Sequence, residues 1–243
     1  MAPFFSELPM PEYLNGQEER TLLEYIACPN IEQVTEVFRR MNDLYDAINA
    51  GRFFLCEAQR QAFPEVYKTP IPSCANDWVR AQFLTSSVQF YNSAFDLYLQ
   101  VNWIYYELYK YFTKYKNLSS KQLDKILKAC KPELILSSKI KRLFNPVIFN
   151  AVYTFYNSES FKEIRGLCNS IKHRKRINFK ELMNGKHQIY VDLHEYDSHE
   201  ALLVRTFSSV IDSLKEYHKG ITLLCNSSYP HWTFDKNKGV RYV

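Results

Sequence analysis

Residues 76–115 read NDWVRAQFLTSSVQFYNSAFDLYLQVNWIYYELYKYFTKY and contain neither glycine nor proline. Apolar residues recur here at every third or fourth position, which is the spacing of one face of an α-helix. These positions are Trp78, Ala81, Leu84, Val88, Tyr91, Phe95, Tyr98, Val101, Tyr105, Leu108, Phe112 and Tyr115. The pattern predicts one long central helix, or two helices that meet end to end, with Asn76 and Asp77 as suitable N-cap residues.

Helical spacing is also found on both sides of this stretch. Residues 17–60 predict a helical segment that is broken near Pro29, with a second possible break at Gly51. The proline-rich residues 63–76 predict a linker. The 14 N-terminal residues and the tail from Ser227 onward are expected to be irregular.

Several short motifs predict where the later helices begin and end. Capping-box pairs occur at Ser119 with Gln122, at Ser160 with Glu163 and at Asp197 with Glu200, and each predicts a helix start. Gly220 is a suitable residue for the end of the last of these helices. Residues 187–193, HQIYVDL, predict at most a short hairpin. The sequence therefore predicts an all-α fold, a helical bundle with an additional N-terminal helical segment.

The composition excludes several classes of protein. The chain has 243 residues, of which 46% are hydrophobic and only 6 are glycine. This length supports a sizeable core. Rossmann domains, P-loop domains and many-stranded barrels need more glycine for tight turns and phosphate-binding loops, so all three are disfavoured.

The N-terminus and the cysteines predict a cytoplasmic protein. The first 20 residues have no basic segment followed by an apolar one, so no signal peptide is expected. No stretch approaches the roughly 18 apolar residues of a membrane span. The six cysteines are scattered without a CxxC pair, which favours reduced thiols.

The charge is distributed unevenly along the chain. Residues 1–100 contain 7 basic and 13 acidic side chains, whereas residues 101–243 contain 24 basic and 13 acidic ones. This asymmetry predicts a polyanionic partner for one face. A solvated, lysine-rich surface is the alternative to such a partner. The same two interpretations apply to a series of lysines that either face solvent or extend a phosphate-binding patch, at positions 110, 114, 116, 121, 125, 128 and 131.

The segment 158–180, SESFKEIRGLCNSIKHRKRINFK, carries the candidate site. A helical wheel places Phe161, Ile164, Leu167, Cys168 and Ile171 on a buried face. Arg165, Asn169 and His173 follow one another at i, i+4 and i+8 on the neighbouring polar face. The adjacent candidates for RNA binding are Lys172, Arg174, Lys175, Arg176 and Lys180.

This set of side chains suits metal-independent RNA cleavage. A histidine can accept the proton of a 2′-hydroxyl or donate one to the leaving 5′-oxygen. An arginine can stabilise the phosphorane oxygens with a planar fork of donors. An amide can orient the histidine or bind a phosphate oxygen.

The chain resembles the HEPN superfamily of helical nucleotide- and RNA-binding proteins in the run Cys168-Asn169-Ser170-Ile171-Lys172-His173. Asn169 and His173 match the spacing of the family motif, whereas Cys168 stands at the position of its arginine, and Arg165 lies one turn earlier. The stretch 86–100 is similar to the first core helix of such domains. The resemblance implies a homodimeric helical bundle that is a metal-independent endoribonuclease of a toxin or antiviral defence system, with an antitoxin-type partner protein.

The resemblance also implies a division into an N-terminal extension, 1–75, a HEPN-like bundle, 76–220, and a C-terminal tail, 221–243. His173 is then the acid–base group, Asn169 orients it, and Arg165 or Arg176 stabilises charge. No metal ion and no cofactor are needed.

Other interpretations stay open at this point. The chain can instead be a non-catalytic helical module that binds RNA, a nucleotide or a protein. His173 can simply stabilise a helix C-terminus. The group formed by Asp192, His194 and His199 is a weak metal-site candidate, because its spacing matches no known helical ligand pattern.

Overall fold

The computed structural model describes residues 3–11, 30–63, 73–142, 144–173, 177–183, 204–235 and 239–241. The described residues form two compact units. The first combines residues 1–8, 49–92 and 159–218, and the second combines residues 9–48, 93–158 and 219–243. The predicted division at residues 75 and 220 stays a prediction.

Helices dominate both units, and the predicted all-α class is confirmed. The described ranges contain ten α-helices: α1 (Ile31–Ala58), α2 (Ser73–Tyr105), α3 (Tyr109–Phe112), α4 (Leu123–Lys128), α5 (Pro132–Ile135), α6 (Ser138–Lys141), α7 (Pro146–Tyr156), α8 (Glu159–Lys172), α9 (Lys180–Met183) and α10 (Phe207–Ser228). Short 3₁₀-helices span Pro3–Glu7 and Tyr229–His231. Within the described residues, no helix is both long and apolar enough to cross a membrane.

Two pairs of very short strands complete the structure. In the first unit, β1 (Asn178–Phe179) pairs in parallel with β2 (Val204–Arg205). In the second unit, β3 (Thr233–Asp235) pairs antiparallel with β4 (Gly239–Arg241). The prediction of an irregular tail after Ser227 is therefore wrong. The hairpin predicted at 187–193 lies outside the described residues.

The long helix α2 ends ten residues before the end of the periodic stretch. Glu107 adopts a left-handed conformation with φ of 51°. The Leu108 N–H donates to the Trp103 carbonyl at 3.0 Å, and the Glu107 N–H donates to the Ile104 carbonyl at 3.1 Å. These bonds form a Schellman motif, which normally has glycine at the left-handed position. The periodic stretch thus forms two helices, the second possibility of the sequence prediction.

The residues predicted as N-caps do not cap their helices, because each helix begins at another residue. Helix α2 begins at Ser73, so Asn76 lies inside it and accepts a hydrogen bond from the Phe63 N–H at 3.3 Å. Ser160 is likewise inside α8. Helix α4 has Gln122 rather than Ser119 at its N-cap, without a side-chain capping bond. None of these predicted caps therefore occupies the N-cap position of its helix.

Helix α10 begins at Phe207 rather than near Asp197, because a different capping pair is used. The Ser209 N–H donates to Thr206 Oγ1 at 3.1 Å, and the Thr206 N–H donates to Ser209 Oγ at 3.2 Å. This is the reciprocal arrangement of a capping box. A carboxylate oxygen of Glu181 accepts the Phe207 N–H at 2.8 Å, which satisfies a further amide of the first turn.

Neither Gly51 nor Gly220 breaks its helix. A Cβ at Gly51 would lie 3.1 Å from the Tyr91 ring, and a Cβ at Gly220 would lie 2.4 Å from Cε2 of Phe155. Both positions therefore allow an aromatic ring to pack against the helix backbone. The predicted break at Gly51 and the predicted helix end at Gly220 are wrong, because close packing rather than turn formation explains these glycines.

Burial of weakly acidic groups makes the fold sensitive to alkaline pH. Burial raises the pKa of the Cys56 thiol to about 11 and that of the Tyr109 phenol to about 12. An unfolded chain loses these protons at lower pH than the folded chain does. We therefore expect the free energy of unfolding to be highest below about pH 9 and to fall as the pH rises toward about 12.

Urea denaturation at increasing pH, with a reductant present, measures this loss. Cys56→Ala should lower the starting stability but flatten the decrease between about pH 9 and 11. A wild-type stability that stays constant up to about pH 11 would contradict this expectation.

Candidate functional site

Helix α8 positions the candidate site in the first unit. Its apolar face is buried as the helical wheel predicts, through Phe161, Ile164, Leu167 and Cys168. The α-helix ends at Lys172 rather than near Arg176, but the His173 N–H still donates to the Asn169 carbonyl at 3.1 Å. The helical turn therefore reaches His173, so Arg165, Asn169 and His173 lie on successive turns of one edge.

Arg165 is anchored at one end of this edge. Its Nη1 donates to Asn92 Oδ1 at 2.8 Å. Asn92 belongs to α2 and is only 3% exposed. A charge-assisted hydrogen bond to a buried acceptor restricts the orientation of the guanidinium. Arg165 is itself only partly buried, so its guanidinium is held in place while part of the side chain faces solvent.

Asn169 and His173 are both exposed. Of the predicted RNA-binding residues, Lys172 and Lys180 are also exposed, and neither has a carboxylate at ion-pairing distance within the described residues. Arg174, Lys175 and Arg176 lie outside those residues. The described part of the edge thus presents an amide and an imidazole to solvent, and two exposed ammonium groups follow in the chain, at the end of α8 and at the start of α9.

Cys168, which the resemblance to the HEPN motif sets against an arginine, belongs to the core. Its side chain is 1% exposed. An arginine side chain at this place would have to bury its charge among apolar neighbours, which is costly without a partner. A cysteine therefore suits the local packing at this position. Arg165, three residues earlier in α8, is partly exposed.

A second arginine of the first unit was not recognised from the sequence. Arg205 Nε lies 2.5 Å from Glu163 Oε1, and its Nη2 lies 3.1 Å from Oε2. Hydrogen bonding to Glu163 raises the pKa of Arg205 further above its ordinary value. This bidentate ion pair joins α8 to β2. No local pattern predicts it, because the two residues are 42 positions apart.

A buried tyrosine–histidine pair supports the same region. Tyr91 Oη lies 2.8 Å from His218 Nδ1, and both side chains are at most 1% exposed. Burial raises the pKa of the Tyr91 phenol well above its ordinary value. Tyr91 directly precedes Asn92 in α2. The bond between Tyr91 and His218 therefore holds the segment from which Asn92 reaches Arg165. His218 itself is inaccessible to a surface-bound substrate.

Metal-ligating side chains do not converge in the part of the chain that the structure describes. There, no three His, Cys, Asp or Glu side chains are grouped so that they can hold a metal ion. The weak metal-site candidate formed by Asp192, His194 and His199 lies outside the described residues.

Comparison of the chain with protein-family models, with curated proteins and with solved structures finds no match.

Proposed function

We propose that the chain is a HEPN-type helical protein that binds RNA along the α8 edge and cleaves it without a metal ion. The observation that supports this proposal best is the geometry of that edge. Arg165 is held by Asn92 at 2.8 Å, and Asn169 and His173 are exposed on the following two turns. A positioned guanidinium beside an accessible imidazole suits phosphodiester chemistry.

In the proposed reaction the 2′-oxygen of the RNA attacks phosphorus as its proton passes to a histidine. The bond between phosphorus and the 5′-oxygen breaks, and a second acid protonates that oxygen. The products are a 2′,3′-cyclic phosphate and a free 5′-hydroxyl. Arg165 stabilises the negative oxygens of the crowded phosphorane, and Asn169 orients His173 or binds a phosphate oxygen.

One copy of the α8 edge supplies one histidine, whereas the reaction needs both a base and an acid. The proposal therefore includes a homodimer that brings two α8 edges together. A toxin or antiviral defence role, with an antitoxin-type protein as inhibitor, completes the proposal on the basis of the family resemblance.

The second candidate is a non-catalytic RNA-binding module. It is favoured by two observations, the buried Cys168 at the usual arginine position and the engagement of Arg165 with Asn92. In this alternative the exposed Lys172 and Lys180 contact phosphates and His173 makes no proton transfer.

Incubation of a structured RNA with the purified protein in EDTA tests the proposal. We expect wild-type cleavage with 2′,3′-cyclic phosphate ends, and a loss of about a hundredfold in rate for Arg165→Ala, because a developing negative charge loses its donor. Lys219→Ala is the control, since it removes an exposed cation from α10 rather than from α8. Binding without cleavage by the wild type would favour the non-catalytic module.

A further inference from the structure

The segment 110–142 of the second unit is far more basic than the rest of the chain. It contains ten Lys and Arg side chains but only two carboxylates, Asp124 and Glu133. Its net charge of +8 exceeds the +5 of the whole protein. The excess positive charge of the protein is therefore concentrated in these helices α3–α6 and their connections.

The apolar side of this segment is anchored, so its charges are held on a defined surface. The Phe112 ring stacks on Trp103, with centroids 5.7 Å apart, and Trp103 Nε1 donates to the Ile126 carbonyl at 3.0 Å. Ile126, Ile135 and Ile140 are fully buried. Helices α4, α5 and α6 thus each insert an isoleucine into the core, while nine of the ten cations of the segment remain exposed.

The cations outnumber the anions that could neutralise them. All of the ten except Lys110 are exposed, and within the described residues none of those nine has a carboxylate at ion-pairing distance. Glu133 accepts a hydrogen bond from the Tyr156 hydroxyl at 3.4 Å. The hydrogen bond to Glu36 is the main reason that the pKa of Arg39 is raised, and Asp124 adds a small electrostatic contribution. Mutual repulsion of unpaired cations disfavours such a surface unless an anion binds to it.

One of these cations lies beside an exposed aromatic ring, because Lys139 Nζ is 5.9 Å from the centroid of the Tyr111 ring. Lys139 Nζ donates to the Tyr111 carbonyl at 3.1 Å, and Lys116 Nζ donates to the Lys110 carbonyl at 2.9 Å. The Tyr111 side chain is 47% exposed. Lys114 and Lys116 follow Tyr111 by three and five positions in the chain, whereas Lys110 Nζ is paired with Glu107 Oε1 at 2.6 Å. We call Tyr111, Lys114, Lys116 and Lys139 the Tyr111 cluster.

We propose that the Tyr111 cluster binds single-stranded RNA. Ammonium groups neutralise successive phosphates, and an accessible aromatic ring provides a stacking platform for a base, which is the combination typical of single-strand binding. An anionic membrane fits less well, because a membrane-bound surface needs a broad apolar face, and α3–α6 are only four to six residues long. The Tyr111 cluster belongs to the second unit and shares no residue with α8, and binding to it does not depend on cleavage at α8.

Fluorescence anisotropy with a labelled 2′-O-methyl oligouridine of about 20 nucleotides tests this proposal. This probe has no free 2′-hydroxyl and cannot be cleaved by the proposed reaction, so binding and catalysis are measured independently. We expect the logarithm of the association constant to fall linearly with the logarithm of the salt concentration. The triple variant Lys114→Gln/Lys116→Gln/Lys139→Gln should reduce the steepness of this slope by about 2 and weaken binding at least tenfold.

Two further variants separate stacking from charge. Tyr111→Ala should weaken binding about tenfold with an unchanged salt slope, whereas Tyr111→Phe should bind like the wild type. The control triple Arg60→Gln/Lys215→Gln/Lys219→Gln removes the same charge outside the segment 110–142 and outside α8, and its affinity should stay within about twofold of the wild type.

Three results would overturn the proposal. One is an equal loss of affinity in the control triple, which would indicate a general charge effect. Another is unchanged binding by Tyr111→Ala together with an unchanged salt slope in the Tyr111-cluster triple. The last is binding to phosphatidylserine vesicles without any binding to the oligonucleotide, which would identify a membrane surface instead. Circular dichroism of each variant confirms that it is folded.

Discussion

His173→Ala slows RNA cleavage by about a thousandfold and leaves RNA affinity within about twofold of the wild type, if the proposed function is correct. The imidazole is the only side chain on the described α8 edge that suits general acid–base catalysis, so its loss removes proton transfer. His173 is exposed and lies just beyond the helix, so its removal should leave the fold intact. Single-turnover cleavage in EDTA and binding to a 2′-O-methyl RNA measure the two quantities separately.

Two further variants test whether the slower cleavage results from the loss of proton transfer by His173. His173→Gln keeps a polar side chain of similar size but cannot transfer a proton, so it should be as slow as His173→Ala. Ser170→Ala, also on α8, should cleave at the wild-type rate, because its hydroxyl bonds only to the Gly166 carbonyl of its own helix. Cleavage by His173→Ala at the wild-type rate would refute the role of His173.

Gly220→Val should lower the free energy of unfolding by about 3 kcal/mol, the upper part of the usual cost of overpacking a core. A Cβ at this position would lie 2.4 Å from Cε2 and 2.6 Å from Cδ2 of Phe155. Phe155 is itself buried, and the centroid of its ring lies 5.6 Å from the centroid of the Phe95 ring. The Phe155 ring therefore has little room to move. Urea denaturation measures the loss.

Two further variants test whether the clash with the Phe155 ring causes the loss of stability. Gly166→Ala in α8 has no atom within 4 Å of the added Cβ, so it should stabilise the protein by up to about 1 kcal/mol through helix propensity. The double variant Gly220→Val/Phe155→Leu should lose less stability than the two single changes together, because the smaller side chain frees space. Strict additivity of the two changes would show that the ring is not responsible.

Periodicity, which is a local property, was enough to predict the helical class and the buried face of α8. The wheel placed Phe161, Ile164 and Leu167 inside, and all three are buried. The Asn169–His173 spacing was likewise readable, because i and i+4 residues share an edge wherever the helix lies. The candidate site could therefore be located from the sequence, although its dimeric and catalytic character stays a proposal.

Helix ends could not be predicted as well, because tertiary contacts override local capping preferences. The end of α2 depends on Glu107 in a left-handed conformation, which sequence patterns assign to glycine. The start of α10 depends partly on Glu181, 26 residues earlier in the chain. Neither position carries a pattern that a search for capping motifs recognises.

Patterns within the sequence are enough to predict that this protein is helical, which face of α8 is buried, and where its basic residues are concentrated. The packing of distant segments is what makes Gly220 lie against Phe155 instead of ending a helix, and what brings Arg165 to Asn92, 73 positions away. The physical reason is the range of the interactions. Helical periodicity depends on neighbours within two turns, whereas close packing and buried hydrogen bonds join segments that are distant in the chain.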